Sequence, residues 1–265
     1  MDVAANARWI AQPRNSEAEV AAQALTTALE IPLAIAHLLV CRGFSQPEAA
    51  RAYLNPSLDQ LHDPYLMLGM DRAVTRIRAS LAASEPILIY GDYDVDGTVA
   101  TVLLKTAMDR VAAMLGVHAE VRYHIPHRIR EGYGMTESRL EAAAAEGVKL
   151  VVSVDTGIRA FAAAREAERL GLDLIVTDHH LPDEAEGVPS ALAVLNPNQP
   201  GCPYPYKELC GAAVAFKLAQ ALLESAAPTP GEFDRLREKT LPSFLKLLAI
   251  ATIADAVPLS GENRV

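Results

Sequence analysis

Asp92, Asp94 and Asp96 stand at alternate positions in YGDYDVDG, followed by Gly97, with no lysine, arginine or histidine within five residues on either side. Like charges so spaced repel, and nothing nearby in the chain offsets them. Three further groups have related chemistry: Asp155-Thr156-Gly157, Asp178-His179-His180, and Asp255 in LLAIATIADAVPL. Taken singly, an aspartate after a strand is usually a helix cap or turn residue, and a pair of histidines in a loop is usually just exposed. Gathered at one place, so many carboxylates and imidazoles would repel one another without a cation. Oxygen-rich ligands with imidazole suit manganese or magnesium better than a structural zinc site. With this many carboxylates two ions are more natural than one, and two ions about 3.5–4 Å apart are the usual apparatus for hydrolysing phosphate esters.

A second group is basic. Residues 122–130, RYHIPHRIR, hold Arg122, Arg128 and Arg130 with His124 and His127, and lead into Glu131-Gly132-Tyr133-Gly134. Arginine forks match phosphate, the glycines allow close backbone approach, and tyrosine offers a stacking face for a base. The ordinary alternative is a solvated basic loop. Lys105 is expected on a helix surface.

These groups need elements that bring them to one edge. From Pro86 onward, apolar runs alternate with alanine-rich helical stretches: Ile87–Tyr90 then Val99–Leu115, Ala119–Tyr123 then Ser138–Ala145, Leu150–Val154 then Ala160–Leu170, and finally Leu174–Val176 and Ala191–Leu195. Continuous apolar strands separated by helices predict an α/β fold, a parallel sheet covered on both faces. The acidic and basic clusters then follow strand ends, at the carboxyl edge where open parallel sheets carry their sites. Residues 1–84 read as a short helical region, with periodic segments at Leu33–Val40 and Ala73–Leu81 broken by Pro47, Pro56 and Pro64. It is expected to pack on a catalytic domain over 85–265. Residues 225–233, SAAPTPGEF, read as an exposed loop, and Phe244–Ala251 as an apolar helix.

With 265 residues, 51% of them hydrophobic, the chain can bury a real core. A formal charge of −9 argues against a broadly basic nucleic-acid binder but leaves room for a local basic groove. Cys41, Cys202 and Cys210 form no C-x-x-C pair, which fits a reducing compartment. The first residues lack a signal peptide's basic start and apolar block, and Ile31–Cys41 is too short to span a bilayer. A soluble cytoplasmic protein is expected, with no membrane association.

GDYDVDG, VDTG, TDHH and Asp255 resemble, in order, the four motifs of the DHH phosphoesterase superfamily, and IPHRIREGYGM (125–135) resembles the motif of its RecJ branch, the single-strand-specific 5′→3′ exonucleases. The stretch from LLVCRGFSQPEAA to the helix at 73–81 and the later CGAAVAFKLAQALL are also similar to that branch. The resemblance implies a metal-dependent exonuclease of single-stranded DNA acting in repair and recombination, with two Mn2+ or Mg2+ ions. It implies Asp94 and Asp96 as ligands to different ions, Asp155 as their bridge, His179 on one ion with Asp255 completing its shell, and Asp92 as a further ligand. His180 would face the scissile phosphate or the second ion, and Asp178 would orient the histidines. Arg128, Arg130, Tyr133 and Gly134 would contact the strand. Single-strand-binding protein and a helicase are implied as further partners of a monomer. The branch carries a linking helix, a DHH-associated domain and an OB-fold. None is visible before Val265, so the chain is expected to be a piece that binds metal but degrades single strands poorly.

Two other readings share these residues. A DHH phosphodiesterase or pyrophosphatase acting on small nucleotides would lack REGYG and usually has histidine four residues before the first aspartate of D-x-D, where Tyr90 stands. A non-catalytic scaffold keeping the fold would have lost ligands, and every one expected is present.

Overall fold

The computed structural model describes residues 15–132, 134–227 and 229–265, which form two compact units, one up to Leu61 with Arg264 and Val265, the other His62–Asn263. The first contains α1 (Ser16–Leu29), α2 (Leu33–Cys41) and α3 (Pro47–Leu54), packed through Ala22, Leu25, Ala36, Leu39 and Ala50. Asn15 caps α1 by accepting from the Ala18 amide (2.8 Å), and Pro47 opens α3 at a position where a missing N–H costs nothing.

The second unit opens with α4 (Met70–Ala82), which packs within this unit. There follow β1 (Ile87–Tyr90), α5 (Val95–Leu115), β2 (Val121–His124), α6 (Glu137–Ala145), β3 (Leu150–Val154), α7 (Phe161–Arg169), β4 (Asp173–Thr177) and β5 (Ala193–Leu195). All strand pairs are parallel, in the order β2-β1-β3-β4-β5. β1 and β3 are buried along their whole length, as continuous apolar runs in a two-sided sheet must be. Side chains alternate between faces: Leu88, Tyr90, Val151 and Val176 pack with Leu140 of α6 and Ala163, Ala164 and Ala167 of α7. The opposite face is covered by α5 and α8 (Gly211–Ala226), a helix buried through almost all its turns.

The chain closes with α9 (Pro230–Arg235), a π-helical turn over Leu236–Thr240, and α10 (Leu241–Ala254), which packs on α5 and α8. The expected loop over 225–233 is therefore corrected: Ser225 and Ala226 finish α8, and Pro230–Phe233 lie in α9. The misreading is physical. Thr229 accepts from the Glu232 amide and donates its hydroxyl to the Glu232 carboxylate, a side-chain cap with proline at the first helical position. Among the described residues no helix is long and apolar enough to cross a membrane.

In a sheet of this order the connections leaving β1 and β3 run in opposite directions, so a crevice opens at the carboxyl ends of these two strands. Register aligns those ends: Tyr90 pairs with Ser153 and His124, and Val154 with Thr177.

Candidate metal centre

Each strand end delivers one part of the site. After β1 the chain makes a turn in which Asp92 is buried and accepts from the next amide, Tyr93 N (2.6 Å). Asp94 is exposed and caps α5, its Oδ1 accepting from Gly97 N (2.9 Å). Asp96 sits in the first turn of α5, buried, and its two oxygens accept from Gly211 N (2.6 Å) and Ala212 N (2.9 Å), the first amides of α8. A helix N-terminus is a favourable place for a carboxylate. Gly97 is required by packing, since a Cβ there would lie 2.6 Å from the Asp92 backbone nitrogen.

Asp155 follows β3 directly, with its backbone in the left-handed region (φ 58°) that aspartate tolerates better than most side chains. It caps no helix: α7 starts only at Phe161, and Ala160 is the residue before it. Gly211 at the start of α8 abuts the Asp155 carboxylate so closely that a Cβ would overlap it.

Asp178 follows β4 and is buried, acting as the hub of the third turn. Its Oδ1 accepts from His179 N (2.8 Å) and His180 N (3.2 Å) and meets His180 Nδ1 at 2.7 Å, while its Oδ2 accepts from Ile158 N (2.9 Å). Burial pushes its carboxyl up, but the His180 side chain and these amides outweigh burial and hold it below the usual range. The same contact raises the His180 imidazole above its ordinary value.

Within each of three sets the donor atoms lie within 4.8 Å of one another: Asp92, Asp94 and Asp155; Asp96, His179 and Asp255; and Asp155, His179 and His180. Asp255 reaches the site from the end of α10, its Oδ2 3.8 Å from His179 Nε2, which also lies 3.4 Å from Asp155 Oδ1 and 3.9 Å from Asp96 Oδ2. Asp155 Oδ1 and His179 Nε2 are buried without hydrogen-bonding partners among the described residues, a rare and costly state. The Asp155 carboxyl is pushed up to about 10 by burial, with Asp96, Asp94 and Asp178 adding repulsion. Burial also raises Asp92, reinforced by Asp94, and raises Asp255 against the pull of His179. Divalent cations fit this donor set: hard carboxylate oxygens with one or two imidazoles, two of whose atoms have no other partner.

The basic segment leaves β2 toward the same edge. Arg122 is not available to a ligand as the sequence suggested, because it pairs with Glu120 and Glu146 on the surface. The Arg128 guanidinium lies over the Tyr93 ring, 5.0 Å from its centroid, beside the aspartate turn. Arg130 is exposed, and Tyr133 lies outside the described residues. The buried Tyr90 hydroxyl donates to the Gly134 carbonyl (3.1 Å) and accepts from Thr136 N (3.3 Å), holding the far end of this arm. A cavity of about 600 Å3 opens there, lined by Gly134, Met135, Ile158, His180 and Leu181 among others.

Sequence reasoning missed the supports. Asn196 Nδ2 donates to the His180 carbonyl (2.8 Å) and Asn198 Nδ2 to the His179 carbonyl (3.0 Å), so the turn after β5 braces the histidine turn. The signal was Asn-Pro-Asn directly after an apolar run. The amides of Gly211 and Ala212 carried none beyond a glycine opening a helix.

The family described as DHH family, N-terminal domain, matches residues 86–252. The chain is 41% identical over 263 residues to the single-stranded-DNA-specific exonuclease RecJ of Bacillus subtilis, covering 99% of this chain and 30% of that protein. It is 34% identical over 239 residues to the Escherichia coli protein of the same name, covering 89% and 39%. Among solved structures, exonuclease RecJ bound to manganese superposes with a TM-score of 0.62 at 35% identity, covering 78% of this chain and 47% of that one. RecJ in complex with Mn2+ from Thermus thermophilus gives 0.69 at 30% identity, covering 92% and 32%. The chain thus spans about a third of the length of these curated relatives. With its motifs at the ends of a 2-1-3-4-5 sheet and the match running from β1 into α10, this chain belongs to the DHH family and carries that family's N-terminal domain.

Proposed function

We propose that the chain is the catalytic portion of a metal-dependent exonuclease that hydrolyses phosphodiester bonds of single-stranded DNA from the 5′ end, in DNA repair and recombination. The observation that carries it is the meeting of two acid–imidazole sets and one all-carboxylate set around Asp155 and His179, whose facing atoms are buried and unpartnered. The relatives are named as single-stranded-DNA-specific exonucleases, and two similar structures hold manganese.

In this reading Asp92, Asp94 and Asp155 would hold one ion, and Asp96, His179 and Asp255 the other, with Asp155 also within range of His179 and His180. Mn2+ or Mg2+ bound there would supply a nucleophile at neutral pH and offset the charge on the leaving oxygen. The remaining work falls to the chain itself. Asp178 fixes the His180 ring through Nδ1, leaving Nε2 for the scissile phosphate. The amides opening α8 hold the Asp96 carboxylate in place by both its oxygens. Arg128 and Arg130 guide the phosphates, with Tyr133 and Gly134 against the terminal nucleotide. The division at 84, a cytoplasmic location, a monomeric state, and dealings with single-strand-binding protein or a helicase belong to the same proposal.

The Tyr90 hydroxyl counts against a small-nucleotide enzyme, since it is engaged with Gly134 and Thr136. The test supplies Mn2+ and compares a labelled single strand, the same strand in a duplex and a linear dinucleotide. Mononucleotides should leave the 5′ end of the single strand, more slowly than with full-length relatives. Faster turnover of the dinucleotide would overturn the assignment.

A further inference from the structure

Lys217 is the one charged residue in the buried run of α8, GAAVAFKLAQALL, and its side chain is 2% exposed. Its Nζ pairs with Glu262 Oε1 at 2.6 Å, and the Glu262 side chain is equally buried. Every remaining polar atom of the pair is occupied. Lys217 also donates to the His62 carbonyl (3.0 Å), while Glu262 accepts from His62 N (2.8 Å) and from the Tyr204 hydroxyl (2.5 Å). Taking two charges out of water is expensive, and a well-packed apolar pair often stabilises a fold at least as well. The pair is better explained by what it holds in place.

What it holds is the chain leaving α10. Asp255 ends that helix, and Ala256 turns left-handed (φ 56°) immediately afterwards. On the last turns Ala251 and Thr252 are buried while Ile250 and Ile253 are exposed, so the helix is anchored on one face only. The departing segment is instead fastened down: the Tyr206 hydroxyl donates to the Pro258 carbonyl (3.3 Å), and Asn263 Nδ2 donates to the carbonyls of Glu208 (2.5 Å) and Pro258 (3.1 Å). Glu262 is the buried end of that segment. The helix that receives it is the helix whose first two amides grip Asp96, and Lys217 lies roughly 9 Å along its axis from Gly211.

We infer that Lys217 and Glu262 are positioning residues for the metal centre: through α8 their buried ion pair fixes where Asp255 stands relative to Asp96 and His179. This rests on the two-ion reading above. The pair bears first on one ion, because only the set of Asp96, His179 and Asp255 takes a ligand from the α10 segment. A merely stabilising pair would not discriminate between the two.

The test is calorimetric titration of the whole chain with Mn2+, with bound ions counted by electron paramagnetic resonance. The wild-type protein should bind two ions. Glu262→Gln should weaken the ion of Asp96, His179 and Asp255 by about tenfold or more, the usual scale for losing a support behind a ligand, while the other keeps its affinity. A folded Glu262→Gln variant with both ions at wild-type affinity overturns this inference alone. A wild-type protein that binds no Mn2+ overturns the metal centre and this inference together. If Glu262→Gln does not fold, Tyr204→Phe decides, since it deletes one hydrogen bond and keeps the ring. A selective loss of roughly fivefold supports the positioning role, and unchanged affinity for both ions removes it.

Discussion

Asp155 and Asp178 are both buried aspartates directly after a strand, yet their surroundings give them opposite work. Asp178 is saturated with donors, whereas Asp155 keeps an oxygen without one. Substituting asparagine separates the two. At Asp155 the amide is isosteric, and asparagine accepts a left-handed backbone as readily as aspartate, so the fold should survive. An amide offers one neutral oxygen and cannot bridge two cations, so Asp155→Asn should abolish hydrolysis and lower the Mn2+ count from two, with an unchanged circular dichroism spectrum. Near-normal turnover with two bound ions would return Asp155 to a turn residue. At Asp178 an amide nitrogen would face either Ile158 N–H or the histidine amides, donor against donor. Asp178→Asn should cost about 1–3 kcal/mol of stability and reduce turnover about 10–100-fold while both ions still bind. Loss of metal with full stability would make Asp178 a ligand. The acidic clusters were legible because repulsion among like charges leaves a mark in composition. The distinction between ligand and support was not, because it depends on which backbone amides the fold turns toward each carboxylate.

At the scale of elements, the strands were legible as apolar runs: β1 and β3 have the bounds read from the sequence, β4 extends one residue further at each end, and β5 starts two residues later. Helix starts were less so. α5 begins at Val95 inside the acidic motif because Asp94 is both cap and candidate ligand, two uses that one letter cannot separate. α4 is amphipathic and begins three residues before the periodic segment read from the sequence, but the reason it matters lies outside its sequence. Arg76 reaches from α4 to Asp173 at the start of β4 (2.6 Å) and to Glu85 before β1 (2.7 Å), a clamp between distant segments. The Arg76 hydrogen bond holds the Glu85 carboxyl below its ordinary 4.5, against burial. A depressed carboxyl contributes stability above its unfolded value and loses it as pH falls through the folded one. Arg76→Met should therefore lower stability by about 1 kcal/mol at neutral pH, a modest figure because both carboxylates are partly exposed. The difference should vanish well below pH 4.5, as read by urea denaturation at the two pH values. A deficit that persists in acid would mean that Arg76 acts through packing alone.

For the whole molecule, 24 basic residues stand against 33 acidic ones, so long-range electrostatics repel a nucleic acid and any attraction must be local. Some of that basic charge is already spent within the protein: Arg122 pairs with Glu120 and Glu146, and Arg139 with Glu146. Arg128 and Arg130 are both exposed, and Arg128 rests on Tyr93 within the aspartate turn. An aromatic face is a weak partner for a guanidinium compared with a phosphate, so a strand entering the crevice could draw Arg128 away at little cost. Two consequences follow for binding measured with an uncleavable single strand. Removing divalent metal with a chelator should sharply weaken binding, since the acidic rim then faces the phosphates unscreened. With metal present, the log–log dependence of affinity on salt should be shallow, because few phosphates are contacted. Arg128→Ala should lower that slope by roughly 0.7, the value of one single-strand contact, and leave Mn2+ affinity unchanged. If the slope stayed the same while metal binding was lost, Arg128 would be supporting the aspartate turn through Tyr93, and the path of the strand would have to lie elsewhere on this edge of the sheet.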